Sequence, residues 1–133
     1  MSSGLKKMLS EISAGELLDK LTILEIKREK IKEKSSQTEI IKEYEVLKEV
    51  QKKNIKINKE LKKLIEELKI VNLNLWNIED KIRMCEKNKN FDEAFIQLAR
   101  DVYFNNDKRS KIKSKINEAL GSNIKEVKKY ASY

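Results

Sequence analysis

Residues 40–85 read IIKEYEVLKEVQKKNIKINKELKKLIEELKIVNLNLWNIEDKIRMC, and this stretch decides the fold. Its apolar residues recur every three then four positions, which is the heptad spacing of coiled coils. It contains no proline and no glycine. It therefore predicts one continuous helix over about residues 39–86, roughly 70 Å long at 1.5 Å per residue. The apolar stripe consists of Ile40, Leu47, Val50, Ile57, Leu61, Leu64, Leu68, Val71, Leu75, Ile78, Ile82 and Cys85.

Composition indicates a single all-α domain over residues 1–133. Hydrophobic and charged residues each make up 39% of the chain, with no proline and three glycines, which is typical of helical bundles. No apolar run is long enough to span a membrane, and the N-terminus lacks the apolar core of a signal peptide. A single cysteine cannot form an internal disulfide, so we expect a cytoplasmic protein. We expect residues 1–12 to be loosely ordered and residues 122–133 to form a basic C-terminal tail.

Two capping boxes predict where the first two helices begin. Ser13 with Glu16 is one, and it predicts a first helix over residues 14–34. Ser36 with Glu39 is the other, and it predicts the start of the long helix after a short turn. A short connection makes consecutive helices antiparallel neighbours. The first helix then covers only the first half of the long one.

The C-terminal third is predicted to fold back along the second half of the long helix. Asn90 with Glu93 predicts the start of a third helix, and the polar residues 105–107 predict a break before a fourth. Gly121 stands where a C-terminal cap is expected, and Asn123 could start a last short helix. The predicted architecture is an elongated helical bundle built on one long coiled-coil-like helix.

Asn54 is the polar residue at a core position of the heptad stripe. If Leu47 and Leu61 occupy the first position of their heptads, Asn54 occupies the same position in the heptad between them. A lone buried asparagine fixes register and favours two-stranded pairing, which predicts a homodimer through the long helix. The alternative is that Asn54 bonds a backbone or side-chain group of the first helix, or stays hydrated at a loose point in the bundle.

The net charge of +8 has two interpretations. Of the 30 basic residues four are arginines, and the lysine surplus beside many isoleucines and asparagines is typical of AT-rich codon usage. Lysines dispersed over solvated helix faces then need no polyanionic partner. The alternative is a nucleic-acid-binding protein that uses its lysine-rich faces. Because lysines alternate with glutamates, as in residues 27–34, we expect at most weak, non-specific nucleic-acid binding.

The absence of several residue types excludes much catalytic chemistry. There is no histidine, the commonest general base and metal ligand, and one cysteine cannot form a thiolate zinc site. The three glycines are isolated, so no glycine-rich loop cradles a phosphate. We therefore predict no catalytic residue, no metal and no cofactor.

One polar cluster is a candidate binding site. Arginines are rare in this chain, and three of its four lie near the junction of the predicted second and third helices. A planar guanidinium with five donors suits a phosphate or a sugar acid, which predicts an anion pocket. The alternative is a structural ion-pair network. The candidate residues are Glu79, Asp80, Arg83, Arg100, Tyr103, Asn106, Asp107 and Arg109.

Several stretches resemble an uncharacterised family of small helical bacterial proteins, a domain of unknown function. The resemblance rests on ISAGELLDKLTILEIK (12–27), VNLNLWNIED (71–80), FD (91–92), LAR (98–100) and NDKR (106–109). It covers most of the chain. It implies a helical fold and brings no activity with it.

A weaker likeness is to the helical chorismate mutases, which also begin with a long leucine-rich helix bearing a basic residue. Here Leu17-Leu18-Asp19-Lys20-Leu21 and Arg28 carry it. It implies, as an alternative, a small helical enzyme. The function expected from the residues is instead a non-enzymatic binding or scaffolding module, homodimeric, with no membrane insertion.

Overall fold

The structure is a computed structural model that describes residues 4–133. Four helices make up the fold, and residues 4–133 contain no strand. They are α1 (Ala14–Lys30), α2 (Lys34–Asn54), α3 (Lys59–Lys87) and α4 (Glu93–Leu120). The prediction of an all-α helical bundle is therefore confirmed.

The single long helix predicted over residues 39–86 is wrong, because the chain leaves the helix between α2 and α3. Ile55 is extended, with φ −127° and ψ 123°. Asn58 then caps α3, since its side chain accepts a hydrogen bond of 2.8 Å from the backbone N–H of Leu61. The heptad pattern shows only which residues are apolar. Because it continues across the linker between α2 and α3, it did not reveal that the helix ends there.

The same break changes the interpretation of Asn54. It is the last residue of α2, is exposed, and donates through Nδ2 to the carbonyl of Val50 at 2.8 Å. The bond therefore stays within α2, and the predicted alternative of a bond to the first helix is wrong; the exposed side chain agrees with the alternative in which Asn54 stays hydrated. The continuous heptad on which the dimer register depended does not exist, and dimerisation itself stays a prediction.

The predicted break at residues 105–107 is also wrong, because α4 runs straight through it. Asn105 bonds back to the carbonyl of Asp101 at 2.8 Å, so its side chain stays within the helix instead of capping a new one. The N-cap of α4 is Asp92, later than the predicted Asn90, and it accepts from Ala94 and Phe95. Gly121 ends α4 in the left-handed region, with φ 60°, as predicted.

Other helix ends differ from prediction. The helix α1 ends at Lys30 instead of residue 34, and α2 begins at Lys34 after Glu33, which makes no side-chain cap, so the second capping box is not used. Residues 4–12 contain no helix, and neither do residues 122–133. The last short helix predicted from Asn123 is therefore wrong, and residues 1–3 of the predicted N-terminal segment lie outside the described residues.

Helix α1 lies across the α3–α4 pair and holds the bundle together. Near its start Glu16 contacts Lys113 of α4 at 2.6 Å, and further along Glu25 contacts Lys69 of α3 at 3.0 Å. Helix α2 packs on α1 alone among the helices. The buried core consists of Leu17, Leu18, Leu21, Leu61, Leu68, Val71, Ile112 and Ile116.

The start of α1 is joined to the end of α4 and to Glu126 beyond it by partly buried polar contacts. Ser13 caps α1 as predicted, since its Oγ accepts from the N–H of Glu16 at 3.1 Å. The same Oγ donates to Glu126 at 2.6 Å, and Asn117 donates to the other oxygen of Glu126 at 3.1 Å. The side chain of Glu16 pairs with Lys113 at 2.6 Å.

Glu126 makes this junction sensitive to acid. Burial alone would raise the pKa of Glu126, but hydrogen bonds from Ser13, from its own backbone N–H and from Asn117, with the charge of Lys113, lower it below 4.5. A carboxyl group whose pKa is lower in the folded chain contributes stability above its unfolded pKa, and this stability is lost as the pH falls through the folded pKa.

We therefore expect Glu126→Gln to lower the melting temperature at pH 7 by a few degrees, and to lower it progressively less as the pH falls from about 5 to about 3. Differential scanning calorimetry of the two proteins over this range measures the difference. A melting-temperature difference that stays constant from neutral to acid pH would contradict the assignment.

Candidate functional site

A buried polar cluster lies where α1 crosses α3 and α4. Asp19 of α1 is 0% exposed, and the amide of Asn72 from α3 donates to its Oδ1 at 2.8 Å. The same amide donates to the hydroxyl of Thr22 at 2.9 Å, and that hydroxyl donates to the carbonyl of Asp19 at 2.7 Å. Buried polar groups are tolerated when each has a partner, as these have.

Arg109 of α4 completes this cluster with a two-point contact. Its Nε donates to Oδ1 of Asp19 at 3.0 Å, and its Nη2 donates to Oδ2. These hydrogen bonds raise the pKa of Arg109; burial opposes them, and the charges of Asp19 and Glu16 add to them. The buried carboxylate therefore holds the guanidinium in one orientation.

Three of the five N–H donors of Arg109 are not used by Asp19. A guanidinium has one donor on Nε and two on each Nη, and the two-point contact uses one on Nε and one on Nη2. Within residues 4–133 no other acceptor contacts them. The Arg109 side chain as a whole is 28% exposed, so part of it is accessible to solvent.

Arg109 lines a cleft of about 450 Å³ between α1 and α3. Ile23 and Ile26 form the α1 wall. Trp76, half-buried, belongs to the α3 wall with Leu75 and Asn72, and Glu79, Asp80 and Arg83 extend that wall. A concave, mainly apolar lining with a few converging polar groups is typical of small-molecule sites.

The charged groups at the end of this wall are exposed and weakly paired. Arg83 pairs with Glu79 one helical turn away, but the distance is 3.7 Å and the Arg83 side chain is 80% exposed. Exposed pairs of this kind contribute about 0 to 1 kcal/mol. Unlike Arg109, Arg83 is therefore not fixed by its partner.

Four of the eight predicted site residues line this cleft: Glu79, Asp80, Arg83 and Arg109. Tyr103, Asn106 and Asp107 instead line a separate hollow with residues 130–133 of the C-terminal segment. Arg100 lies over the ring of Phe104, at 5.6 Å from its centroid, and does not line the cleft.

Three cluster residues were missed by the sequence reasoning: Asp19, Thr22 and Asn72. The available signal was their position, since Asp19 stands within the apolar stripe of α1 and Asn72 stands between Val71 and Leu73. A polar residue at core spacing predicts a buried partner. The partner of Asp19, however, lies 90 residues away in sequence.

Two further features bear on the chemistry of this chain. Across residues 4–133, no three histidine, cysteine, aspartate or glutamate residues come together in a way that could hold a metal ion. In the same part of the chain, no helix is long and apolar enough to cross a membrane. The arrangement in the cleft is suited to binding through fixed donors and an aromatic wall.

Comparison with known proteins gives a family and no activity. No curated protein and no solved structure matches the chain. A family model described as a family of unknown function (DUF6165) matches residues 8–133, nearly the whole chain, which confirms the resemblance to an uncharacterised family. The chain belongs to this family of unknown function, DUF6165.

Proposed function

We propose that the protein is a non-enzymatic binding module whose cleft takes a small ligand that carries an anionic group and hydroxyl groups, such as a sugar phosphate or a sugar acid. The observation that carries the proposal is Arg109. A buried carboxylate fixes its guanidinium, which keeps three unused donors, and Arg109 lines a cleft together with Trp76.

The anionic group of the ligand is assigned to Arg109 and Arg83. Two N–H groups of a guanidinium match the two oxygens of a carboxylate or phosphate, and such charge-assisted bonds are about twice as strong as neutral ones. Preorganisation adds to this, because Arg109 loses little side-chain freedom on binding. Arg83, which is exposed and only weakly paired with Glu79, can turn to the same group.

The hydroxyl groups and the ring of a sugar suit the rest of the α3 wall. Glu79 and Asp80 are acceptors, and hydroxyl groups are donors that an anion alone does not provide. The half-buried face of Trp76 offers an apolar surface for the C–H side of a sugar ring. A bare anion would be repelled by the two carboxylates, which favours a ligand with both kinds of group.

The two alternative functions have less support. Arg28, which carried the likeness to chorismate mutases, is exposed and does not line the cleft. Lys69, Lys89 and Lys113 pair with glutamates within the chain, and elsewhere lysines alternate with glutamates, as in residues 27–34. We therefore propose at most weak, non-specific nucleic-acid binding.

A thermal-shift screen of nucleotides, sugar phosphates and sugar acids tests the proposal. A compound that binds only the folded state at about 100 times its Kd adds about 2.7 kcal/mol, or about 10 °C for a chain of this size. We expect a sugar phosphate or sugar acid to raise the melting temperature of the wild type. We expect Arg83→Gln to reduce this shift and Arg109→Lys to abolish it, each measured against its own unliganded protein.

Arg100→Lys is the matched control, because Arg100 lies outside the cleft, and its shift should equal that of the wild type. Equal melting-temperature shifts in all four proteins would show that Arg83 and Arg109 do not contact the ligand. The absence of a shift with every compound would leave the Asp19–Arg109 pair as a structural contact.

A further inference from the structure

The end of the α3–α4 hairpin extends beyond the buried core, although Glu79, Asp80 and Arg83 at its base line the cleft beside α1. We name residues 78–102 the arm; it comprises the last turns of α3, the connection and the first turns of α4. No residue of the arm is fully buried. The core stops before it, at Val71 on α3 and Ile112 on α4.

The arm nevertheless carries apolar residues at core spacing. Ile82, Phe95 and Leu98 are only half-buried. Met84, Phe91 and Ile96 are 52%, 50% and 54% exposed. An amphipathic helix is stabilised mainly by burying its apolar face, and two helices alone leave much of each face in water.

The exposed area of the whole chain is large enough for an interface. The chain exposes 10206 Å², whereas a compact monomer of 15.7 kDa exposes about 7,300 Å². A standard interface buries about 800 Å² on each partner. The terminal segments account for part of this surplus of exposed area. The area that one partner buries in a standard interface is less than a third of the surplus.

The charge of the arm favours a second copy of this chain as its occupant. The arm has six acidic and five basic residues, a net charge of −1, whereas the chain carries +8. The rest of the chain therefore carries +9, and two copies that meet through its strongly positive parts repel each other, which opposes association there. Two arms meet at almost no net charge.

We propose that the arms of two copies pack against each other and form a four-helix bundle about a two-fold axis. Each arm then supplies the two helices that the other lacks, and the exposed apolar residues become the centre of the interface. This dimer does not depend on the proposed ligand. It also differs from the predicted pairing through Asn54, because the paired surface lies on α3 and α4.

Light scattering at low micromolar concentration tests the oligomeric state of the full chain. We expect about twice the chain mass of 15.7 kDa for the wild type, and a melting temperature that rises with protein concentration. The variant Phe91→Asp with Ile96→Asp should have the mass of one chain, with a melting temperature that does not depend on concentration. Circular dichroism checks that this variant keeps its helices.

The matched control is Val46→Asp with Val50→Asp, which charges two exposed valines of α2 and should leave the dimer intact. A second measurement uses a spin label on Cys85, the single cysteine, which lies in the arm. Paired arms bring the two labels within about 40 Å, from about 1.5 Å per residue along the arm and about 8–10 Å between helices. A monomeric wild type, loss of the dimer only in the α2 variant, or no measurable label-to-label distance would overturn the proposal.

Discussion

Replacing Arg109 with leucine is expected to destabilise the folded protein by about 3 to 5 kcal/mol, because it leaves the carboxylate of Asp19 buried without its cation. Asp19 is 0% exposed, so water cannot replace the lost partner. Asn72 still donates to one oxygen, which is too little for an ionised group at that depth. Urea unfolding of the two proteins measures the difference.

The other half of the pair should behave differently. Asp19→Asn is expected to cost less than Arg109→Leu, because the Arg109 side chain is 28% exposed and can turn its charge to solvent. Combining the two substitutions should recover part of the loss, since the double variant has no buried charge at this point. Arg83→Leu is the matched control and should stay within about 0.5 kcal/mol of the wild type. If Arg83→Leu and Arg109→Leu lowered the free energy of unfolding equally, the Asp19–Arg109 pair would contribute no more to stability than an exposed ion pair.

Replacing Gly15 with alanine is expected to destabilise the protein by about 2 to 4 kcal/mol, from overpacking and a weakened hydrogen bond together. The new Cβ would lie 2.7 Å from the backbone oxygen of Lys113 and 2.9 Å from the Oδ1 of Asn117, so α1 and α4 must separate. Overpacking of this kind costs about 1 to 3 kcal/mol, and the hydrogen bond of 2.7 Å from the Gly15 N–H to Asn117 is weakened as well. The higher helix propensity of alanine returns only about 1 kcal/mol.

The two other glycines provide the controls for this prediction. Gly121 has φ +60°, and a Cβ added there would meet nothing within 4 Å, so Gly121→Ala should cost only the backbone term, about 1 kcal/mol. A Cβ added at Gly4 also meets nothing within 4 Å, and Gly4→Ala should leave the melting temperature unchanged. A Gly15→Ala protein as stable as the wild type would mean that α1 and α4 are not in close contact there.

The helical class and several helix ends were predictable from the sequence because their causes are local. Ser13 caps α1 through a bond to a residue three positions on, and Gly121 ends α4 because it adopts a left-handed conformation at little cost. The apolar spacing also identified which residues of α3 face the core. Half of the predicted site residues line one cleft, and three of these four, Glu79, Asp80 and Arg83, are neighbours on one helix.

The errors arose where one residue type has two local uses. Asparagine can cap a helix, as Asn58 does, or bond back to the preceding turn, as Asn54 and Asn105 do, and the sequence does not distinguish these uses. The heptad pattern could not reveal the break at Ile55, because apolar spacing continues across the linker.

The sequence by itself determined that this chain is helical, which faces are apolar and where α1 starts and α4 ends. Only the tertiary structure decided that α1 crosses α3 and α4, and this crossing brings Asp19, Asn72 and Arg109 together from three helices. Local sequence patterns could not predict this contact, because Asn72 and Arg109 lie 53 and 90 residues from Asp19 along the chain. Local patterns decide which face of each helix is apolar, whereas the angle at which two helices cross depends on how their side chains pack.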